Sequence, residues 1–94
     1  MDKPQILRYR IIFSGRVQGV GFRYFAQKLA VEFSLVGFVK NRLDENVEME
    51  IEGTAKHVNA FIKAIRHGNP FIRVDDYSMK AIPLGYDTRF QIKY

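Results

Sequence analysis

The sequence predicts an α+β sandwich in which an antiparallel sheet carries two helices on one of its faces. Several short segments alternate apolar and polar residues at the two-residue period of strands. Two other segments place apolar residues at the spacing of a helix face. Their order along the chain is β-α-β-β-α-β with a short extra strand at the C-terminus, which is the split βαβ arrangement of ferredoxin-like folds.

The chain begins with a strand and a helix that are joined by a glycine-bearing loop. A strand is predicted over residues 7–14, where Tyr9, Ile11 and Phe13 recur at the two-residue period. A helix is predicted over residues 22–33, where the apolar residues at helical spacing are Phe22, Phe25, Ala26, Leu29 and Phe33. The loop over residues 15–21 therefore lies between a strand end and a helix start.

The middle of the chain predicts an antiparallel hairpin. Strands are predicted over residues 35–40 and 47–52, and the polar stretch between them is short enough for a hairpin connection. In the second of these strands, Glu48, Glu50 and Glu52 alternate with apolar residues. We expect these three glutamates to be exposed, because alternation is typical of a strand with one buried face.

The second half predicts a helix followed by two strands. Gly53 and Thr54 provide a break and an N-cap, and the apolar stripe that follows ends at residues 68–70, Gly-Asn-Pro. A fourth strand lies within residues 71–82, where the adjacent Asp75 and Asp76 predict a bulge or bend. A short last strand is indicated by Phe90, Ile92 and Tyr94.

The length of 94 residues predicts one domain over residues 1–94, with a loosely ordered segment at residues 1–5. The composition is 47% hydrophobic, enough for a core, and the lack of cysteine excludes disulfides, a thiolate nucleophile and cysteine-bound metals. No apolar run approaches the length of about 20 residues that a membrane helix needs. We expect a monomeric cytoplasmic protein without a membrane partner.

The net charge of +5 raises the hypothesis of an RNA-binding module on the same topology. The charge is unevenly distributed, since residues 41–52 contain one basic and five acidic residues between two basic regions. Exposed acidic side chains on the third strand would repel phosphates at the place where such modules stack bases. The sequence therefore argues against a nucleic-acid partner.

The loop over residues 15–21 has the properties of an anion site. It precedes a helix start, where backbone N–H groups are free and the helix dipole is positive. Arg23 lies in the first turn, which disfavours a cation by about 0.3–1 kcal/mol unless an anion is bound. The alternative is a tight connection with a solvated arginine. Glycine spacing alone leaves both interpretations open, because neither a Walker A loop nor Gly-x-Gly-x-x-Gly is present.

Two segments resemble the signature motifs of the acylphosphatase family. The first comprises Gly15, Arg16, Val17, Gln18, Gly19, Val20, Gly21, Phe22 and Arg23. The second comprises Gly37, Phe38, Val39, Lys40 and Asn41, with Val47 and Gly53 fitting its end. Gly68 and Pro70 also resemble the family. The motifs occur in the expected order, the resemblance extends over residues 9–94, and the family's ferredoxin-like fold agrees with the predicted order of elements.

The resemblance implies hydrolysis of the carboxyl–phosphate bond of acyl phosphates. Arg23 matches the family's phosphate-binding arginine, the backbone amides of the loop would complete the cradle, and Asn41 matches the asparagine that holds the attacking water. A carboxylate leaves easily, so no metal ion or cofactor is expected. The implied partners are a small acyl phosphate and inorganic phosphate, as product and competitive inhibitor. The alternative is a catalytically silent domain that binds a ligand or protein.

One position departs from the family pattern. The family usually places glycine four residues after the asparagine, and here that position is Glu45, followed by Asn46. Asparagine tolerates the left-handed conformation better than most residues, so we expect Asn46 to make the turn. An altered turn would affect the placement of Asn41.

Overall fold

The computed structural model describes residues 4–94 and contains five strands and two helices in the predicted order. The strands are β1 (Ile6–Arg16), β2 (Val36–Asn41), β3 (Val47–Thr54), β4 (Arg73–Ile82) and β5 (Phe90–Lys93). The helices are α1 (Phe22–Glu32) and α2 (Ala55–His67). The predicted elements are confirmed. The first three positions of the segment predicted to be loosely ordered, residues 1–5, lie outside the described residues.

The strands form one sheet in the order β4-β1-β3-β2-β5. The first four strands of the chain pair antiparallel, as predicted, whereas β5 pairs parallel to β2 and makes the sheet mixed. The central strand β3 pairs with β1 on one side and with β2 on the other. Because both neighbours are antiparallel to β3, β1 and β2 run in the same direction and end at the same edge of the sheet.

The core lies between the sheet and the two helices. α1 packs against β2 and β5, α2 packs against β3 and β4, and the two helices contact each other. The largest fully buried side chains include Phe13, Phe22, Phe61, Ile11, Met49, Ile51 and Ile65. Thr54 caps α2, since its Oγ1 accepts a hydrogen bond from the His57 N–H at 3.3 Å. No helix within residues 4–94 is long and apolar enough to cross a membrane.

The predicted irregularity in the fourth strand is confirmed as a bulge. Ser14 pairs with Asp76 and Gly15 pairs with Val74, which leaves Asp75 without a partner opposite it in β1. Gly15 has φ 124°, and a Cβ at this position would overlap the carbonyl oxygen of Arg73. Glycine is therefore required at this position by both its backbone angle and the close approach of β4.

On the face of the sheet that points away from the helices, the burial of three glutamates differs from the sequence prediction. Glu48, Glu50 and Glu52 of β3 are not freely exposed. The side chains of Glu48, Glu50 and Glu52 are only 11%, 22% and 14% exposed. The physical reason is that β1 places Arg8 opposite Glu52 and Arg10 opposite Glu50 in the pairing register. Opposite charges on neighbouring strands attract each other and exclude water from one another.

Arg8 is the centre of this charged face. It is 5% exposed, and its guanidinium donates to Glu50 Oε1 at 3.0 Å, to Glu52 Oε1 at 3.2 Å and to Asp87 Oδ2 at 2.8 Å. The connection between β4 and β5 covers it, since the Gly85 N–H donates to Glu52 Oε1 at 2.8 Å. A Cβ at Gly85 would lie 2.9 Å from Arg8 Cζ, so a side chain at this position would require the guanidinium of Arg8 to shift.

Replacement of Arg8 with leucine is expected to lower the free energy of unfolding by about 3 kcal/mol, because it leaves three partly buried carboxylates without their shared cation. Urea unfolding followed by far-UV circular dichroism measures the change. The matched control is Arg73→Leu, which removes an arginine whose ion pair with Asp75 is largely exposed, and we expect little effect. Equal destabilisation of the two variants would contradict a special role for Arg8.

Candidate active site

The two motif segments meet at one edge of the sheet because of the register of β3. Val47 pairs with Phe13 of β1 and with Asn41 of β2, so the three residues form one row across the sheet. β1 ends three residues beyond this row and leads into the glycine loop, whereas Asn41 is itself the last residue of β2. Neighbouring strands are about 4.8 Å apart, so Asn41 lies about 10 Å across the sheet from β1.

The N-terminus of α1 lacks the groups that usually stabilise a helix start. Its N-cap is Gly21, in the left-handed conformation with φ 79°, and its first turn contains no acidic residue. Gly19 also has a positive φ of 72°, and a Cβ at either glycine would meet no atom within 4 Å. The N–H groups at the start of α1 are therefore left for solvent or for an anion.

A small cavity of about 100 Å³ lies between the loop, the start of α1 and the end of β2. Its lining residues are Val17, Gly19, Gly21, Phe22, Arg23, Tyr24 and Asn41. The structure thus brings Arg23 and Asn41 together with part of the glycine loop. Both side chains are accessible, because Arg23 is partly exposed and Asn41 is exposed.

The other loop positions named from the sequence lie around this cavity rather than in its lining. Gly15 and Arg16 belong to the end of β1, where they pair with β4. Val20 is partly buried and packs against the core. Gln18 is half-buried, and its side chain contacts the β2–β3 connection instead.

Arg23 is held at the surface by the C-terminal end of the chain. Its Cζ lies 4.8 Å from the centre of the Tyr94 ring, and its Nη1 donates to the Lys93 carbonyl oxygen at 3.4 Å. The hydroxyls of Tyr94 and Tyr24 are 3.4 Å apart. This hydrogen bond raises the pKa of Tyr94 above its usual 10.0, although the charge of Arg23 acts in the opposite direction. Sequence patterns indicated Tyr94 only as part of the last strand and not as a residue of the site, because its ring meets Arg23 only after β5 pairs with β2.

The side chain of Gln18 joins the loop to the hairpin that carries Asn41. Its Nε2 donates to the carbonyl oxygens of Arg42 and Asn46, at 2.8 Å in each case. These two residues also bond to each other, since the Arg42 N–H donates to the Asn46 carbonyl oxygen at 2.9 Å. In the sequence analysis, Gln18 is one of the loop positions whose backbone amides are expected to bind phosphate. No local pattern predicts the contact of its side chain with the hairpin.

The turn between β2 and β3 is made differently from the prediction. Glu45, and not Asn46, adopts the left-handed conformation, with φ 71°. The reason is that Asp44 fixes the residue that follows Glu45, because its Oδ1 accepts a hydrogen bond from the Asn46 N–H at 3.1 Å. Glu45 therefore occupies the conformation that a glycine at this position would adopt without strain.

A wider open cleft of about 550 Å³ adjoins the cavity on the side of the hairpin. Its charged side chains are paired: Arg42 Nε lies 3.1 Å from Asp44 Oδ2, and Arg42 Nη1 lies 3.1 Å from Glu48 Oε1. Burial alone would raise the pKa of Glu48, but the hydrogen bond from Arg10 and the charge of Lys40 hold it below its usual 4.5. The charges that line this cleft therefore largely neutralise one another.

The fold and the cavity define a small α+β protein with an anion-binding geometry at the start of its first helix. Within residues 4–94, no three His, Asp or Glu side chains are grouped so that they could hold a metal ion. The family model for acylphosphatase matches residues 9–92. The chain belongs to the acylphosphatase family.

Individual relatives match almost the whole chain. It is 44% identical over 90 residues to the acylphosphatase of Clostridium beijerinckii, covering 95% of this chain and 100% of that protein. The crystal structure of acylphosphatase from Bacillus subtilis matches with a TM-score of 0.90 at 47% identity, over 94% of this chain and 99% of that one. The structure of an acylphosphatase from Coxiella burnetii also gives a TM-score of 0.90, at 26% identity, and covers 99% and 100% of the two chains.

Replacement of Glu45 with glycine is expected to raise the free energy of unfolding by about 0.5–1 kcal/mol. Glycine removes a left-handed backbone cost of about 1–2 kcal/mol, and it adds about 0.4–1 kcal/mol of conformational entropy to the unfolded chain. Thermal and urea unfolding measure the difference. Glu45→Ala is the matched control, because it removes the same carboxylate but keeps a side chain at positive φ. A gain as large in the alanine variant would contradict the backbone explanation.

Proposed function

We propose that this chain is an acylphosphatase that hydrolyses small acyl phosphates to a carboxylate and inorganic phosphate. The observation that carries the proposal is the cavity of about 100 Å³ in which Arg23, the glycine loop and Asn41 meet. Membership of the acylphosphatase family supports the same reaction.

The phosphoryl group is held by Arg23 and by backbone N–H groups at the start of α1. A guanidinium donates paired hydrogen bonds to two oxygens of an anion, and N–H groups at a helix start point toward a bound phosphate. The anion also offsets the unfavourable position of Arg23 beside the positive end of the helix dipole. The stacking of Arg23 on Tyr94 limits the orientations of the guanidinium before substrate binds.

Asn41 holds the water molecule that attacks phosphorus. The carbonyl oxygen of its side chain accepts a hydrogen bond from the water, and the amino group donates to a second acceptor. Asn41 is exposed at the end of β2 and lines the same cavity as Arg23, so a water on its side chain would lie beside the bound phosphoryl group. Fixing water and phosphoryl group relative to each other replaces an encounter in solution with a positioned attack.

In the reaction, a bond forms between the water oxygen and phosphorus while the bond between phosphorus and the carboxylate oxygen breaks in line with it. The carboxylate leaves with its electron pair and needs no proton, because a carboxylic acid has a pKa of about 4. The proton of the attacking water passes to a phosphoryl oxygen. Neither bond change calls for a general acid or a metal ion, so we expect turnover with a chelator present.

Inorganic phosphate carries the same oxygens as the transferred group and is therefore expected to compete with substrate for Arg23 and the loop. The monomeric state and the cytoplasmic location stay predictions from the sequence. Gel filtration and fractionation of cells would test them.

Arg23→Met is expected to lower kcat/KM for benzoyl phosphate by about 10²–10³ and to weaken inhibition by phosphate, because a donor to the phosphoryl oxygens is lost.

Asn41→Ala is expected to lower kcat by a similar factor and to leave phosphate inhibition nearly unchanged, because Asn41 contacts the water. Hydrolysis is measured with a chelator present, and circular dichroism verifies that both variants are folded.

Two variants provide matched controls for these measurements. Arg66 also stacks on a tyrosine, with its Cζ 5.1 Å from the Tyr77 ring centre, and Asn59 is an exposed asparagine of α2. Arg66→Met and Asn59→Ala are expected to retain full activity. Wild-type activity in the Arg23 or Asn41 variant would disprove the role of that residue, and an inactive wild-type protein would favour the silent binding domain.

A further inference from the structure

The amide of Gln18 forms the hydrogen-bonded link between the two halves of the candidate site. It lies in the loop, next to Val17 and Gly19, which both line the cavity. Both N–H groups of its Nε2 are used, at 2.8 Å to the Arg42 carbonyl oxygen and at 2.8 Å to the Asn46 carbonyl oxygen. Within residues 4–94, these two bonds are the hydrogen bonds that connect residues 17–21 with residues 41–46.

The hairpin does not need this link to form, because its own contacts close it. Asn41 pairs with Val47 in the sheet, and the Arg42 N–H bonds to the Asn46 carbonyl oxygen at 2.9 Å. Asp44 accepts the Asn46 N–H at 3.1 Å. The additional bonds from Gln18 therefore fix where the closed hairpin lies relative to the loop, since they join positions 24 and 28 residues apart.

We propose that Gln18 is a positioning residue that sets the distance between the phosphate cradle and the water held by Asn41. The inference rests on the proposed function. Arg42 directly follows Asn41, so holding its carbonyl oxygen restrains the peptide that carries the asparagine. The side chain of Gln18 contacts neither reacting group in this role. Its effect is exerted through Asn41 on one side and through the backbone of the loop on the other.

This role predicts a specific division between catalysis and binding. The groups that hold phosphate, Arg23 and the N–H groups of the loop, are all on the continuous segment from the end of β1 to the first turn of α1, and the side chain of Gln18 is not needed to connect them. Misplacing the water by about 1 Å lowers the rate by on the order of 10²-fold even when binding is retained. Loss of the link should therefore reduce kcat much more than it weakens phosphate inhibition.

The decisive variant is Gln18→Met, which keeps a chain of similar length and removes both donors. We expect kcat for benzoyl phosphate to fall about 10–100-fold and the inhibition constant of inorganic phosphate to change by less than about threefold. Hydrogen exchange of the backbone amides in residues 41–46 is expected to become faster than in the wild-type protein. The matched control is Gln27→Met, because Gln27 Nε2 also donates to a backbone carbonyl, that of Phe90 at 3.3 Å.

A second variant, Gln18→Glu, tests the donors by pH. Its carboxylate accepts but cannot donate, so it faces two carbonyl oxygens unfavourably at neutral pH. Protonation near the ordinary glutamate pKa of about 4.3 restores one donor. The ratio of its kcat to that of the wild-type protein should therefore rise as the pH falls from 7 toward 4. A simple loss of packing would give a ratio that does not depend on pH.

The outcomes separate this inference from the proposed function. An inactive wild-type protein would disprove the proposed function itself. With an active wild-type protein, an unchanged kcat in Gln18→Met would disprove the positioning role. Parallel weakening of kcat and phosphate inhibition would disprove it also, because Gln18 would then support the cradle and not the water. Loss of kcat alone, with faster exchange in the hairpin and an unaffected Gln27→Met, is the result that the inference predicts.

Discussion

The position of the candidate site depends on the register of the central strand. Val47, Met49 and Ile51 of β3 are fully buried, and a shift by one residue would turn all of them away from the helices. The same register places Val47 between Phe13 and Asn41, so it also sets how far Asn41 lies from the loop. Burial of the core and alignment of the site are therefore fixed by one set of strand pairs.

Strand pairing alone brings the glycine loop and Asn41 to the same edge of the sheet, but it does not fix the positions of the side chains in the site. β1 and β2 are separated by a strand, so no backbone ladder joins the loop to Asn41. Side chains from distant parts of the sequence supply that connection. Gln18 restrains the hairpin, and Tyr94, at the opposite end of the chain, restrains Arg23. The last strand therefore contributes to the site through its parallel pairing with β2.

The sequence predicted those features that depend on neighbouring residues. Alternation and helical spacing located the elements, Thr54 marked the start of α2, and two adjacent aspartates indicated the bulge in β4. Most of the features that the prediction missed depend on pairing between distant segments, and the turn at Glu45 is the exception, because the Asp44 side chain fixes it locally. Arg8 is buried because three carboxylates from β3 and the β4–β5 connection surround it, and no local pattern in the sequence indicates these contacts.

The predicted exposure of the acidic side chains of β3 is wrong because it does not take account of pairing between strands. The acidic side chains of β3 were expected to form a repulsive exposed row, which argued against a nucleic-acid partner. In the structure, Glu48, Glu50 and Glu52 form ion pairs with basic side chains of neighbouring strands and of the hairpin. Repulsion by an exposed acidic row therefore no longer supports that argument.

A comparison of the two helices explains why the site lies at α1. α2 has a threonine as its N-cap and basic residues in its last turn. α1 has a glycine as its N-cap and Arg23 in its first turn. Glycine in place of a capping side chain costs only about a few tenths of a kcal/mol, and an unfavourable charge costs about 0.3–1 kcal/mol. Burial of Phe22 alone contributes about 1.5–3 kcal/mol, so α1 is stable without these groups. A serine or aspartate cap at position 21 would place an oxygen at the proposed position of the phosphoryl group. The weak start of α1 and the proposed phosphate site are therefore one structural feature.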